Sequence, residues 1–151
     1  MKTAFEHLLQ TRKNILKILE DNKGKEYIIP EGFNNSLYWN VAHCIVTQQL
    51  LCYKLSGNDM IIDDELIESY RKGSKPSSKA PNIIEVGKVK DLLITSVEQM
   101  EKDYKEGLFI AYNVYPTSYG ITLSSIDEAI LFNNSHEAMH LGYMLAMSKR
   151  L

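Results

Sequence analysis

Long apolar runs are absent: no stretch of the 151 residues approaches 18 consecutive hydrophobic positions. A membrane-spanning helix needs about that many, so a membrane is not expected as a partner. The opening segment MKTAFEHLLQTRKN lacks the apolar centre of a secretion leader, and a cytoplasmic location is expected. An excess of one charge is missing too. Seventeen basic against nineteen acidic residues, a net charge of −2, provide no polybasic surface for nucleic acid. Cysteine is scarce. Cys44 and Cys52 stand eight residues apart in one apolar segment, which on a straight helix means about 12 Å, too far for a disulfide. They read as free core thiols of a reducing compartment. Internal repeats and blocks of like charge are also lacking. The length fits one domain, residues 1–151, large enough to bury about two-thirds of its unfolded surface.

The periodicity of what is present is helical. Residues 3–21 repeat Phe5, Leu8, Leu9, Ile15, Leu16 and Leu19 on one arc, with Gly24 as a stop. After a Pro- and Gly-punctuated linker, Asn34-Asn35-Ser36 offers caps for a second helix over 37–55. That helix is apolar almost all round, so it is buried on several sides or takes part in an interface. A short helix fits 63–70, followed by a loop-like 73–81. Asn82 and Glu85 form a capping box for a third long helix ending at Gly107. Residues 109–123, rich in β-branched and aromatic side chains around Pro116-Thr117-Ser118, predict a small β-hairpin. Ser125 and Glu128 predict a second capping box, opening the last helix over 126–148. The expected fold is all-α: an antiparallel four-helix bundle with a short helix in the second connection and a hairpin before the last helix.

The four histidines carry the chemistry. His136 and His140 are four residues apart on the last helix, about 40° around the axis and about 6 Å along it, so both imidazoles can face one ion. They share an arc with Ala129, Asn133, Tyr143, Met144 and Met147, expected to pack inward. A pair of hydrogen-bonded core histidines would fit the same spacing. His136-Glu137-Ala138-Met139-His140 also matches the H-E-x-x-H pattern of zinc peptidases. No His, Asp, Glu or Cys follows His140, and Tyr143 and Ala146 occupy the metzincin Gly and His places, so a peptidase is disfavoured. A third ligand must come from upstream. His7, off the apolar stripe and beside Glu6, reads as a surface residue; His43, inside the apolar second helix, is the better candidate. His43, His136 and His140 would leave coordination positions open, as in a catalytic site.

Trp39-x-x-x-His43 followed by His136-x-x-x-His140-x-Gly142 resembles the DinB-like metal-binding superfamily, over essentially the whole chain. The resemblance implies a four-helix bundle in which His43, His136 and His140 hold a divalent metal, zinc or nickel. It implies thiol-dependent transferases and isomerases using bacillithiol, mycothiol or glutathione, and frequent homodimers. It implies neither polymerase activity nor nucleic-acid binding.

The expected function is therefore a metal-dependent small-molecule enzyme. A transferase with a low-molecular-weight thiol such as bacillithiol as co-substrate leads; a metal-dependent hydrolase or a non-catalytic metal-sensing bundle shares the same site. Glu137 could act as a base, as a partner of a ligand imidazole, or in a solvated salt bridge. Asn133, Thr47 and Tyr143 share sectors with the histidines and could orient an imidazole. Tyr112, Tyr115 and Tyr119 of the hairpin could wall a pocket, and the Lys72–Lys79 loop could meet an anionic thiol, although a solvated loop is the simpler expectation. With no cysteine ligand available, any sulfur nucleophile must come from a small molecule.

Overall fold

The computed structural model describes residues 1–77 and 79–151. It contains five α-helices and one two-stranded antiparallel sheet: α1 Lys2–Asp21, α2 Leu37–Gln48, α3 Asp64–Tyr70, α4 Ile83–Lys105, β1 Tyr115–Pro116, β2 Thr122–Leu123 and α5 Ile126–Ser148. Helices α1 and α2 each pack on α4 and α5 and also touch one another, and α3 lies against α2. Among the described residues, no helix is long and apolar enough to cross a membrane.

Local chemistry sets the boundaries. Ser36 caps α2 by accepting from Trp39 N, and Asp63 caps α3 by accepting from Leu66 N. Asn82 and Glu85 complete the expected reciprocal capping box on α4. The box expected on α5 is half formed. Ser125 accepts from Glu128 N, but the Glu128 carboxylate turns to Ser124, accepting from its backbone N–H at 2.6 Å and its hydroxyl at 2.8 Å. The hairpin strands are shorter than the 109–123 pattern suggested. Asn113 N donates to Leu55 O at 2.7 Å, tying the approaching arm to the end of the second helical run instead of to a strand. The 73–81 loop contains Ser78, which lies outside the described residues.

The second helix does not run unbroken to residue 55. After Gln48 it widens into a π segment, Gln49–Tyr53, then tightens into a 3-10 turn, Lys54–Ser56, before Gly57 at φ +72°. The widening falls at two buried amides with partners in different directions. Gln48 Nε2 donates to Ser96 O at 3.1 Å on α4, while Gln49 Oε1 accepts from Ile61 N at 3.0 Å. The apolar character all round this helix is used inside the chain, because every residue from Leu37 to Val46 is buried.

Two apolar clusters form the core. One gathers Ile15, Leu19, Val41, Ile45, Leu93 and Met144; the other gathers Phe5, Leu8, Leu51, Met100, Leu123 and Ile130. Along all four long helical runs, fully buried polar side chains stand between the two clusters: Arg12, Gln48, Gln49, Ser96, Asn133 and Glu137. A polar layer thus crosses the middle of the core. Its two charges are paired with each other, while Ser96 Oγ and Asn133 Oδ1 find no partner among the described residues.

Candidate metal centre

Arg12 and Glu137 form the centre of that layer. The guanidinium grips the carboxylate with two bonds, Nε to Oε2 at 2.5 Å and a terminal nitrogen to Oε1 at 2.7 Å. It also donates to Leu93 O at 3.1 Å and Cys44 O at 3.3 Å, so one side chain touches α2, α4 and α5. Asn133 Nδ2 adds a third donor to Glu137, at 2.8 Å. Burial alone would depress the guanidinium pKa; the adjoining carboxylate more than offsets this and holds it above its ordinary value. Glu137 is therefore a buried structural partner, neither a free base nor half of a solvated salt bridge.

With Glu137 turned into the core, its neighbours on α5 face α2. His136 and His140 meet His43 there, with ring centroids 5.3 Å (His43–His136), 4.9 Å (His43–His140) and 4.5 Å (His136–His140) apart. One nitrogen from each lies within 4.8 Å of the others, a grouping that could hold a single ion. His7, the fourth histidine, is exposed on α1, as its place off the stripe suggested.

Two of the imidazoles are held by acceptors on the nitrogen facing away from the cluster. His43 Nδ1–H donates to Tyr70 O at 2.7 Å and His140 Nδ1–H donates to Asn40 Oδ1 at 2.8 Å. This tautomer leaves each Nε2 with a lone pair for a ligand role. Asn40 is itself fixed, donating to Asn35 Oδ1 at 2.9 Å and Ser36 O at 2.8 Å. Trp39 stacks flat on His43, centroids 4.7 Å apart and planes 11° from parallel, which gives the W-x-x-x-H spacing a physical meaning: on one helix face the indole sets the plane of the imidazole one turn later. His136 has no such anchor, and its Nδ1 is buried without a partner.

The surroundings of all three rings favour the neutral form. Burial lowers the pKa of His43. Burial, then His140, His43 and Arg12, pushes His136 down to about 3; burial and His43 push His140 down to about 4. Neutral nitrogen donors at three corners, one of them an unsatisfied buried imidazole, fit a divalent ion.

A cavity of about 290 Å³ borders His43 and His136. Its helical wall is His43, Thr47, Leu50, Leu51, Lys54 and Leu55, closed by Phe132 from α5, by Lys72, and by Tyr115, Thr117 and Ser118 of the hairpin. Of the side chains expected to orient an imidazole, Thr47 does reach one, with Oγ1 3.3 Å from His43 Nε2, where in this tautomer its hydroxyl donates to the lone pair that a metal would take. Asn133 serves Glu137 instead. Tyr143 is not packed inward: it is 37% exposed and stacks edge-on against Phe33. Tyr115 walls the cavity as anticipated, whereas Tyr119 packs on Phe132. Sequence reasoning missed Asn40, Arg12 and the Tyr70 carbonyl. Arg12 left a trace, as a charged residue standing between Leu8 and Ile15 on the apolar stripe of α1.

No curated protein matches the sequence. A family model matches residues 7–144, a span that includes all three clustered histidines, and the chain belongs to the DinB superfamily.

Proposed function

We propose that residues 1–151 form one antiparallel four-helix-bundle domain in which His43, His136 and His140 hold a divalent metal, zinc or nickel. In this reading the protein is a cytoplasmic, homodimeric transferase that joins a low-molecular-weight thiol of the bacillithiol kind to a small electrophile. The carrying observation is the pairing of three neutral imidazoles with an adjoining cavity that no carboxylate lines among the described residues. When bound, the ion supplies Lewis acidity that favours the thiolate form of a thiol at neutral pH.

The chain's own residues do the rest. Asn40 and the Tyr70 carbonyl hold two imidazoles in the tautomer that offers Nε2. Leu50, Leu55 and Phe132 give the cavity largely apolar walls, suited to the organic part of a small substrate. Neither cysteine serves as nucleophile, since Cys44 and Cys52 are buried and burial raises both thiol pKa values; the sulfur has to arrive with the co-substrate. The hydrolase reading is disfavoured because Glu137, the carboxylate nearest the ligands in sequence, is committed to Arg12, and among the described residues no carboxylate lines the cavity to act as a general base.

The test is thiol consumption with bacillithiol and a panel of electrophiles, on metal-loaded wild type and His140→Ala. The proposal expects turnover that the substitution abolishes. Metal-dependent dimerisation without turnover would favour the non-catalytic sensor reading.

A further inference from the structure

We propose that the cavity beside the histidines selects an organic carboxylate with an apolar body, its anionic end received between Lys54 and Lys72. This deepens the reading above and rests on it for the role of the bound molecule, which is the acceptor and not the thiol. Two lysines from separate elements border the same space, Lys54 in the 3-10 turn after α2 and Lys72 just past α3. Among the described residues neither forms an ion pair, and no acidic side chain lines the cavity to neutralise them.

The remaining walls decide the body of the ligand. Leu50, Leu51, Leu55 and Phe132 make much of the lining apolar, with Thr47, Thr117 and Ser118 among the polar residues beside them, so an alkyl or aryl group gains by burial there. The cavity has no guanidinium fork to grip a phosphate in two places. The two lysines supply the positive charge that a carboxylate end would meet.

The probes are phenylbutyrate and its uncharged counterpart phenylbutanol, titrated calorimetrically into metal-free and zinc-loaded full-length protein. The carboxylate is expected to bind on the order of tenfold more tightly in both forms, the gain shrinking as salt is raised. Lys54→Met with Lys72→Met is expected to erase that preference while zinc content, read by elemental analysis, stays unchanged. Both positions are exposed, so folding is not at stake. Equal binding of alcohol and acid, a preference that survives the double substitution, or no binding of either probe at millimolar concentration would overturn the assignment. Absence of zinc from the loaded protein would count against the metal reading alone, because the metal-free titration tests the lysines without it.

Discussion

Replacing Arg12 by methionine removes one charge from the middle of the core and leaves the other there. Both side chains of the Arg12–Glu137 pair are fully buried, and Glu137 would keep only the Asn133 bond. Truncating one partner of such a pair costs about 3–5 kcal/mol, because the remaining charge is desolvated and unpaired. A domain of this size has roughly 5–15 kcal/mol in total, so the variant would lose a large share of its stability. At about 2–4 °C per kcal/mol for domains of 150–250 residues, Tm should fall by roughly 6–20 °C. The double variant Arg12→Met with Glu137→Leu should recover most of the loss, since an apolar pair of similar volume is often neutral or better. Urea titrations of wild type, both single variants and the double variant, followed by circular dichroism, close the cycle. A loss below about 1 kcal/mol for Arg12→Met, or single losses that simply add in the double variant, would refute the reasoning.

Asn40→Ala should weaken metal affinity by about 10–100-fold through the lost acceptor for His140 Nδ1–H, measured by chelator competition. The depressed histidine pKa values, about 3 for His136 and about 4 for His140, set a sign. The unfolded chain takes up protons near pH 6.5 and the folded one does so only lower, so their stabilising contribution is complete above about pH 6.5 and disappears as pH falls towards those values. Metal retention in a dialysis series should likewise extend to lower pH than for ordinary imidazoles, since proton competition for the ligands sets in later. Cys44 and Cys52, buried and with raised pKa values, should resist a thiol reagent in the native protein and both react once urea is added.

What the sequence disclosed and what it withheld divide along one physical line. Periodicity and caps report on residues three or four apart, so α1, α4 and α5 were legible nearly to the residue, as was the i, i+4 pair His136 and His140. The third histidine followed from the oddity of an imidazole inside an apolar helix. Contacts between distant segments leave no such trace. Arg12 meets Glu137 across 125 positions and Asn40 meets His140 across 100; periodicity gives the faces of helices but not which face meets which. The same limit explains why Glu137 had three readings and why Tyr143, correct in angle, stands at a rim. The π segment depends on where Gln48 and Gln49 find partners, and that is again a property of the assembled core.

The central claim is that three histidines from two helices hold one ion. Elemental analysis of protein purified under metal-replete conditions, run on wild type, His43→Ala and His136→Ala, tests it most directly. The account predicts about one divalent ion per chain in the wild type and a marked loss in each variant. A wild type without metal, or two variants that both retain it, would contradict the account.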